Sequence, residues 1–411
     1  MEHQSLLVAR ETSLHNPASC HLYPEVRSGH VLVFGAPTPH KQSLLWNMMV
    51  QDIAAGAGVA VIDVTGNYAD RLLDAIPNYR AHQTLLFQPF DQTRVVGYNP
   101  FRGVPEAHRP RVAQDIMDLF KAIWGLDYDR TPLLLDLLRS SARVLLDCPD
   151  STMLSLYALL TNAEFRTRAV AHCKDPLTRK FWAEFAAWDK RDQRDKPQPV
   201  LTRLRAFLSD PQLRNVLGQV KGALDLERVV NERQVFLADL SRATLGAETS
   251  RLFGCLLGTR LQSILAARTG GWPFYIYIPE AHLMHAEVAA ALLQTPLPNS
   301  GAVVSLDQVA GYAPEIRASL LAPQTLLAFR MAADDVRYVA PRFPTAQAET
   351  LLPTLSPDRM VMSGFKYELQ ALDAVPVAYR SRKRIVRRSQ QALGVPRVSI
   401  EGKIERFLDG L

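Results

Sequence analysis

Short apolar runs set between helical patterns constrain this chain more than any other feature. Val31–Phe34, Val59–Ile62, Thr84–Phe87, Val235–Asp239, Phe274–Ile278, Ala302–Leu306 and Thr325–Phe329 are each four or five residues long and bounded by turn formers. Runs of this kind, without polar alternation, read as strands buried on both faces. Helical patterns lie between several of them. In Ser43–Ala55, for example, Leu44, Leu45, Met48 and Met49 share one face. Alternation of this type predicts an α/β fold with a mostly parallel sheet covered on both sides.

The middle of the chain differs. Between about Arg109 and Leu226 no run reads as a strand, and helical periodicity marks Arg111–Ile123, Pro132–Leu146, Met153–Thr161, Pro176–Trp188 and Val200–Leu208. The expected organisation is therefore an α/β core in two pieces, 1–108 and 227–379, around an all-helical insertion at 109–226, followed by a tail at 380–411. Within the insertion the charged stretch Asp189–Gln198 contains Pro197 and precedes Pro199, which predicts an exposed turn or hinge. A short amphipathic helix is expected over Val398–Leu408.

A chain of 411 residues can bury a large core. No apolar run approaches the ~20 residues needed to span a bilayer. Glu2, Arg10 and Glu11 interrupt the N-terminal segment, so no signal peptide and no transmembrane segment are expected, and the expected location is cytoplasmic. Cys20, Cys148, Cys173 and Cys255 are scattered, without a C-x-x-C pair, which argues for reduced thiols. The net charge of +6 gains meaning from its distribution: six of the nine residues from Arg380 to Arg388 are basic. Arg380, Arg382, Lys383, Arg384, Arg387 and Arg388 read either as a solvated helix face or as contacts to nucleic acid.

The first apolar run ends in Gly35-Ala36-Pro37-Thr38-Pro39-His40-Lys41-Gln42-Ser43, and a helix follows. This is the place and length of a phosphate-binding loop, G-x-x-x-x-G-K-S/T. Gly35 and Lys41 fit the pattern. His40 stands where the second glycine belongs, and its side chain crowds the approach of backbone to phosphate. Gln42 replaces the hydroxyl that ligates Mg2+, and Ser43 lies one residue too late. Pro37 and Pro39 remove two amide donors. Lys41 and the helix N-terminus still favour an anion. The candidate nucleotide-binding residues are thus Gly35, Thr38, His40, Lys41, Gln42 and Ser43.

Further segments give this loop a context: Val61-Ile62-Asp63-Val64-Thr65-Gly66-Asn67-Tyr68, Leu72 to Pro77, Phe87-Gln88-Pro89-Phe90-Asp91, Gly97-Tyr98-Asn99-Pro100-Phe101, Phe207 to Pro211, Asn215 to Gln219, and Val235–Gly246. In order and spacing this series resembles the HerA/FtsK superfamily of P-loop ATPases, and within it the TraG/TraD-type coupling ATPases of conjugation and type IV secretion. The resemblance runs from about Arg27 to Leu408. It implies a RecA-like core, ATP as cofactor, DNA as partner and a hexameric ring, homomeric or mixed with related ATPases. Proteins of the TraG/TraD type often carry N-terminal membrane helices. None is seen in this sequence, which moves the resemblance towards soluble HerA-like relatives.

The same resemblance locates the catalytic positions. Phe274–Ile278 matches the Walker B strand, with Glu280 at the glutamate that polarises water and Pro279 where an aspartate supports Mg2+. Gln308 matches a sensor glutamine and Arg330 an arginine at a subunit boundary, a candidate finger for phosphoryl transfer in a neighbour. Each has a plainer reading: Lys41 as a surface lysine at a helix start, Glu280 as a first-turn glutamate, Gln308 as a polar turn residue, Arg330 as the ion-pair partner of Asp334 or Asp335. His282 and His285 form H-x-x-H without a third ligand of suitable spacing, so no metal site is expected. Two losses, at Gln42 and Pro279, concern one metal ion. Weak ATP binding, poor Mg2+ retention and impaired hydrolysis are therefore expected, in a scaffold or regulatory subunit of DNA transfer or processing. Two alternatives stand beside it: an active DNA-translocating ATPase with an atypical site, and a nucleotide-independent module that binds DNA or a protein.

Overall fold

The computed structural model describes residues 5–12, 18–91, 93–344, 347–365 and 367–411; Glu2, used above in reading the N-terminus, lies outside them. Strands in chain order are β1 (Leu6–Glu11), β2 (Ser19–Leu22), β3 (Val31–Phe34), β4 (Gly58–Asp63), β5 (Thr84–Phe87), β6 (Arg94–Val96), β7 (Val235–Asp239), β8 (Phe274–Ile278), β9 (Ser300–Leu306), β10 (Thr325–Ala328), β11 (Arg359–Met362), β12 (Leu369–Ala371) and β13 (Gly394–Pro396). The chain divides into two compact units. One takes 1–87 and 226–388, the other 88–225 and 389–411. The division thus falls at 87/88 rather than at the expected 108/109, and the second unit also takes in the C-terminal segment.

The first unit holds an eleven-stranded sheet in the order β2-β1-β12-β11-β10-β3-β9-β8-β4-β7-β5. From β10 to β5 all neighbours are parallel. From β10 to β2 they are antiparallel. The seven parallel strands are the seven apolar runs of the sequence. Every residue of β3, β4, β7, β8, β9 and β10 is buried, as helices on both faces of a parallel sheet require. The helices Pro39–Ala54, Asn67–Ala75 and Ala247–Ala266 belong to this unit. After β12 an extended segment runs along the first of them: Asn47 Nδ2 donates to Asp373 O, Asn47 Oδ1 accepts from Val375 N, and Trp46 Nε1 donates to Val375 O. Among the described residues no helix is long and apolar enough to cross a membrane.

A buried polar network joins helix residues to the sheet. Arg27 is 2% exposed and donates from both Nη atoms to Asp52, at 2.8 and 2.5 Å. The Tyr277 hydroxyl donates to the same carboxylate at 2.5 Å, and the Tyr275 ring lies 3.4 Å from the guanidinium. Gly301 lets the Arg27 backbone approach β9, since a Cβ there would stand 2.2 Å from Arg27 O.

The second unit is helical apart from one ladder, in which β13 pairs antiparallel with β6. Two segments of the sequence series meet in it. Asn99 Nδ2 donates to Ser151 O and Val220 O, Tyr98 N donates to Val216 O, and a Cβ at Gly97 would stand 2.5 Å from Gln219. The Gly97–Phe101 and Asn215–Gln219 segments therefore clasp each other in packing. The stretch expected as a turn at Asp189–Gln198 begins instead as the helix Lys190–Asp195. Asp189 caps it through Asp192 N, and Lys196 pairs with Asp192, so its charges act as local i,i+4 partners.

Candidate functional site

The C-terminal ends of the parallel strands form the site. Because chain order jumps from β3 to β4 across β9 and β8, their following loops open on a common crevice, the usual ligand position of such sheets. Register sets the details. Phe34 pairs with Leu306 on one side and Ala328 on the other. Gly35, Asp307 and Phe329 are consequently level with each other at the strand tips.

Gly35 adopts φ +122°, and a Cβ there would stand 2.8 Å from the carbonyl oxygens of Phe329 and Arg330. The glycine is thus required where the chain leaving β3 passes the backbone just after β10. The loop amides are spent in the same way. Gly35 N donates to Leu306 O at 3.1 Å and Ala36 N to Arg330 O at 2.8 Å. Pro37 and Pro39 have no N–H. Thr38 caps the helix, its Oγ1 accepting from Lys41 N and its carbonyl from Gln42 N. Thr38 and His40 are the remaining amide donors between Gly35 and Gln42. The helix begins at Pro39, four residues earlier than the sequence suggested, because proline suits the first helical position. His40 is half-buried, and its Nε2 lies 3.4 Å from Asp373. Gln42 is exposed, and the Ser43 hydroxyl donates to Pro39 O.

Lys41 is not a surface residue: it is 3% exposed. Its Nζ donates to Gly35 O at 2.7 Å, Leu306 O at 3.0 Å and Asp307 Oδ1 at 2.6 Å. Burial lowers its pKa, opposed by the charges of Asp307 and Glu280. Glu280 sits in the turn after β8, ahead of the short 3-10 turn Ala281–Leu283 rather than in the first turn of an α-helix. Its carboxyl is raised above the ordinary range by burial first, then by Asp63 and Asp307. His282 Nε2 lies 3.6 Å from the other oxygen of Asp307, and burial lowers its pKa. Pro279 brings no ligand. Among the described residues no three His, Cys, Asp or Glu side chains gather as a metal site.

Asp63, at the tip of β4, is 1% exposed and accepts from the amides of Thr65, Gly66, Tyr68 and Ala69 at 2.7–3.1 Å, and from the Thr65 hydroxyl. It builds the turn of the D-V-T-G segment. Gln308 is exposed. Arg330 is exposed and, among the described residues, makes no ion pair; Asp335 instead accepts from the amides of Val309 and Ala310 at 2.8 Å. The structure thus gathers Lys41 and Glu280 at one crevice, while Gln308 and Arg330 stand exposed at the tips of β9 and β10. Asp307 was missed as a member of the site. Its signal was position alone, the first residue after a buried strand that neighbours the loop strand.

The basic residues lie on the helix Arg382–Leu393 and just before it. Arg382 donates to Asp70 and Asp74, and Arg384 Nη2 donates to Asn78 O at 2.8 Å. Arg380, Lys383, Arg387 and Arg388 are exposed.

No protein-family model matches the sequence, and a comparison with curated proteins finds no relative. The fold does match solved structures. The plasmid coupling protein TrwB in complex with ADP and Mg2+ superposes with a TM-score of 0.62 at 13% identity, covering 93% of this chain and 98% of that one. TrwB with the non-hydrolysable GTP analogue GDPNP gives 0.60 at 16% identity, covering 92% and 97%. The unbound bacterial conjugative coupling protein TrwBdeltaN70 gives 0.60 at 14%, covering 92% and 96%. The chain has the fold of these conjugative coupling proteins, an α/β core with a mostly parallel sheet.

Proposed function

We propose that this protein is a P-loop-fold subunit of a DNA-transfer or DNA-processing assembly that hydrolyses Mg-ATP poorly or not at all. One observation carries the reading: the loop's lysine and its first two amides are already satisfied by the chain itself. Gly35 and Ala36 give their amides to neighbouring strands, and all three Lys41 donors are taken by protein oxygens. Pro279 adds no carboxylate for a metal, and loss of one well-placed electrostatic element typically costs ~10²–10³ in rate. ATP binds weakly in this reading, and Mg2+ lacks protein ligands. The fold persists because the sheet needs it, and the subunit works as a scaffold or regulator in the cytoplasm. It assembles in a homo- or hetero-hexamer with related ATPases, in which exposed Arg330 serves a neighbour's site. DNA is the partner of the exposed basic residues.

The test is ATP hydrolysis with and without DNA, in the native chain and in a variant carrying His40→Gly, Gln42→Thr and Pro279→Asp. Turnover only in the restored variant is the expected result. Strong DNA-stimulated turnover by the native chain, abolished by Lys41→Ala, would sink the proposal and favour an active motor.

A further inference from the structure

Asp307 has a role that the loop pattern does not contain. We infer that its carboxylate occupies Lys41 in place of a nucleotide phosphate, so that this side chain sets whether the crevice can take a polyphosphate anion at all. The inference rests on the reading of Gly35–Ser43 as a phosphate-loop position.

The geometry comes from strand register. β9 lies directly beside β3, and Leu306 pairs with Phe34. The residue after Leu306 therefore stands beside the loop's first residue, within reach of a lysine folded back from the first helical turn. An aspartate is short enough to end 2.6 Å from Nζ while its backbone stays in the strand line. A lysine ammonium has three donors. Here two go to the strand-tip carbonyls of Gly35 and Leu306 and the third to Asp307, which leaves none for a ligand.

The charges oppose an incoming anion as well. A phosphate that replaced Asp307 on Lys41 would leave that carboxylate, 28% exposed, facing the phosphate. Glu280 and Asp63 stand on the same crevice, while Lys41 and Arg242 are the cations acting on Glu280. A phosphate there would meet three carboxylates against these two cations, and like charges brought together in a half-buried crevice repel. Phosphate binding thus requires Asp307 to swing away, and the population in which it has done so scales the apparent affinity.

The experiment is calorimetric titration of the full chain with ATP in magnesium-free buffer, which keeps the altered metal positions out of the readout. Removing the charge in Asp307→Asn is expected to tighten ATP binding by about tenfold or more, and Lys41→Ala in that background is expected to cancel the gain. Equal affinity in the native chain and Asp307→Asn overturns the inference, and so does a gain that persists without Lys41. Lys41→Ala in the native background separates the two levels. If it weakens binding while Asp307→Asn gains nothing, the phosphate-loop reading stands and only the role of Asp307 falls. If neither Lys41 nor Asp307 affects binding, both fall. Thermal melting accompanies each titration. Should Asp307→Asn prove unstable, Asp307→Ser, which keeps a hydroxyl acceptor, is judged by the same criteria.

Discussion

Glu280 shows how much a single side chain can reveal about this crevice. Burial and the neighbouring Asp63 and Asp307 raise its carboxyl above the ordinary value of 4.5. A group whose folded pKa is raised binds its proton more tightly in the folded state, so unfolding free energy falls as pH rises above 4.5 and levels off beyond the folded value. Glu280→Gln removes the charge. It is expected to raise the melting temperature at pH 8 and to leave it almost unchanged at pH 4. A loss of stability at pH 8 would show that the carboxylate is held by attraction instead. The retained Lys41 teaches the complementary lesson. A sequence identifies it as the loop lysine but cannot say what it touches, because its partner lies 266 residues away, just past the end of β9.

At the scale of elements, the strands divide into those that could be read and those that could not. The seven parallel strands are buried on both faces and so spell continuous apolar runs. β1, β2, β11 and β12 are antiparallel, and β1 (LLVARE) and β2 (SCHL) mix polar and apolar residues. Their existence depends on pairing with segments far away, such as Ala9 with Ala371, which local pattern does not encode. The site divides likewise. The loop was legible as spacing, and Pro279 and Glu280 only through the family resemblance, whereas the spent amides and Asp307 follow from register. Packing of the Pro39–Ala54 helix against the sheet also depends on a pair no motif marks, Arg27 with Asp52. Removing either partner leaves a buried charge alone, which costs about 3–5 kcal/mol. Asp52→Ala and Arg27→Ala are expected to lose this much in denaturant unfolding. The double substitution should lose less than the sum of the two, since the partners share one interaction.

For the whole molecule, the proposal of a DNA partner rests on the basic residues near the end of the first unit. Arg382 is committed to Asp70 and Asp74, whereas Lys383, Arg387 and Arg388 are exposed. If DNA is the partner, each exposed charge removed should reduce the salt slope of duplex binding by about 0.9. The triple change Lys383→Ala, Arg387→Ala, Arg388→Ala is therefore expected to flatten that slope, measured by fluorescence anisotropy across a salt series. Arg382→Ala is expected to leave the slope in place. An unchanged slope in the triple variant would remove this face from DNA contact.

The ladder between β6 and β13 has a consequence for how the molecule is made. Arg94 Nη2 donates to Gly394 O across 300 residues of chain, and Asn162 Nδ2 reaches the Leu411 carbonyl. During synthesis the helices of 109–225 leave the ribosome long before these partners exist. The helical unit must then wait with an open edge while the residues of 226–388 emerge and complete the sheet. Chain closure this distant slows folding and lengthens the exposure of apolar surface. In the living cell, residues 389–411 finish a unit whose pairing partner on β6 was made 300 residues before.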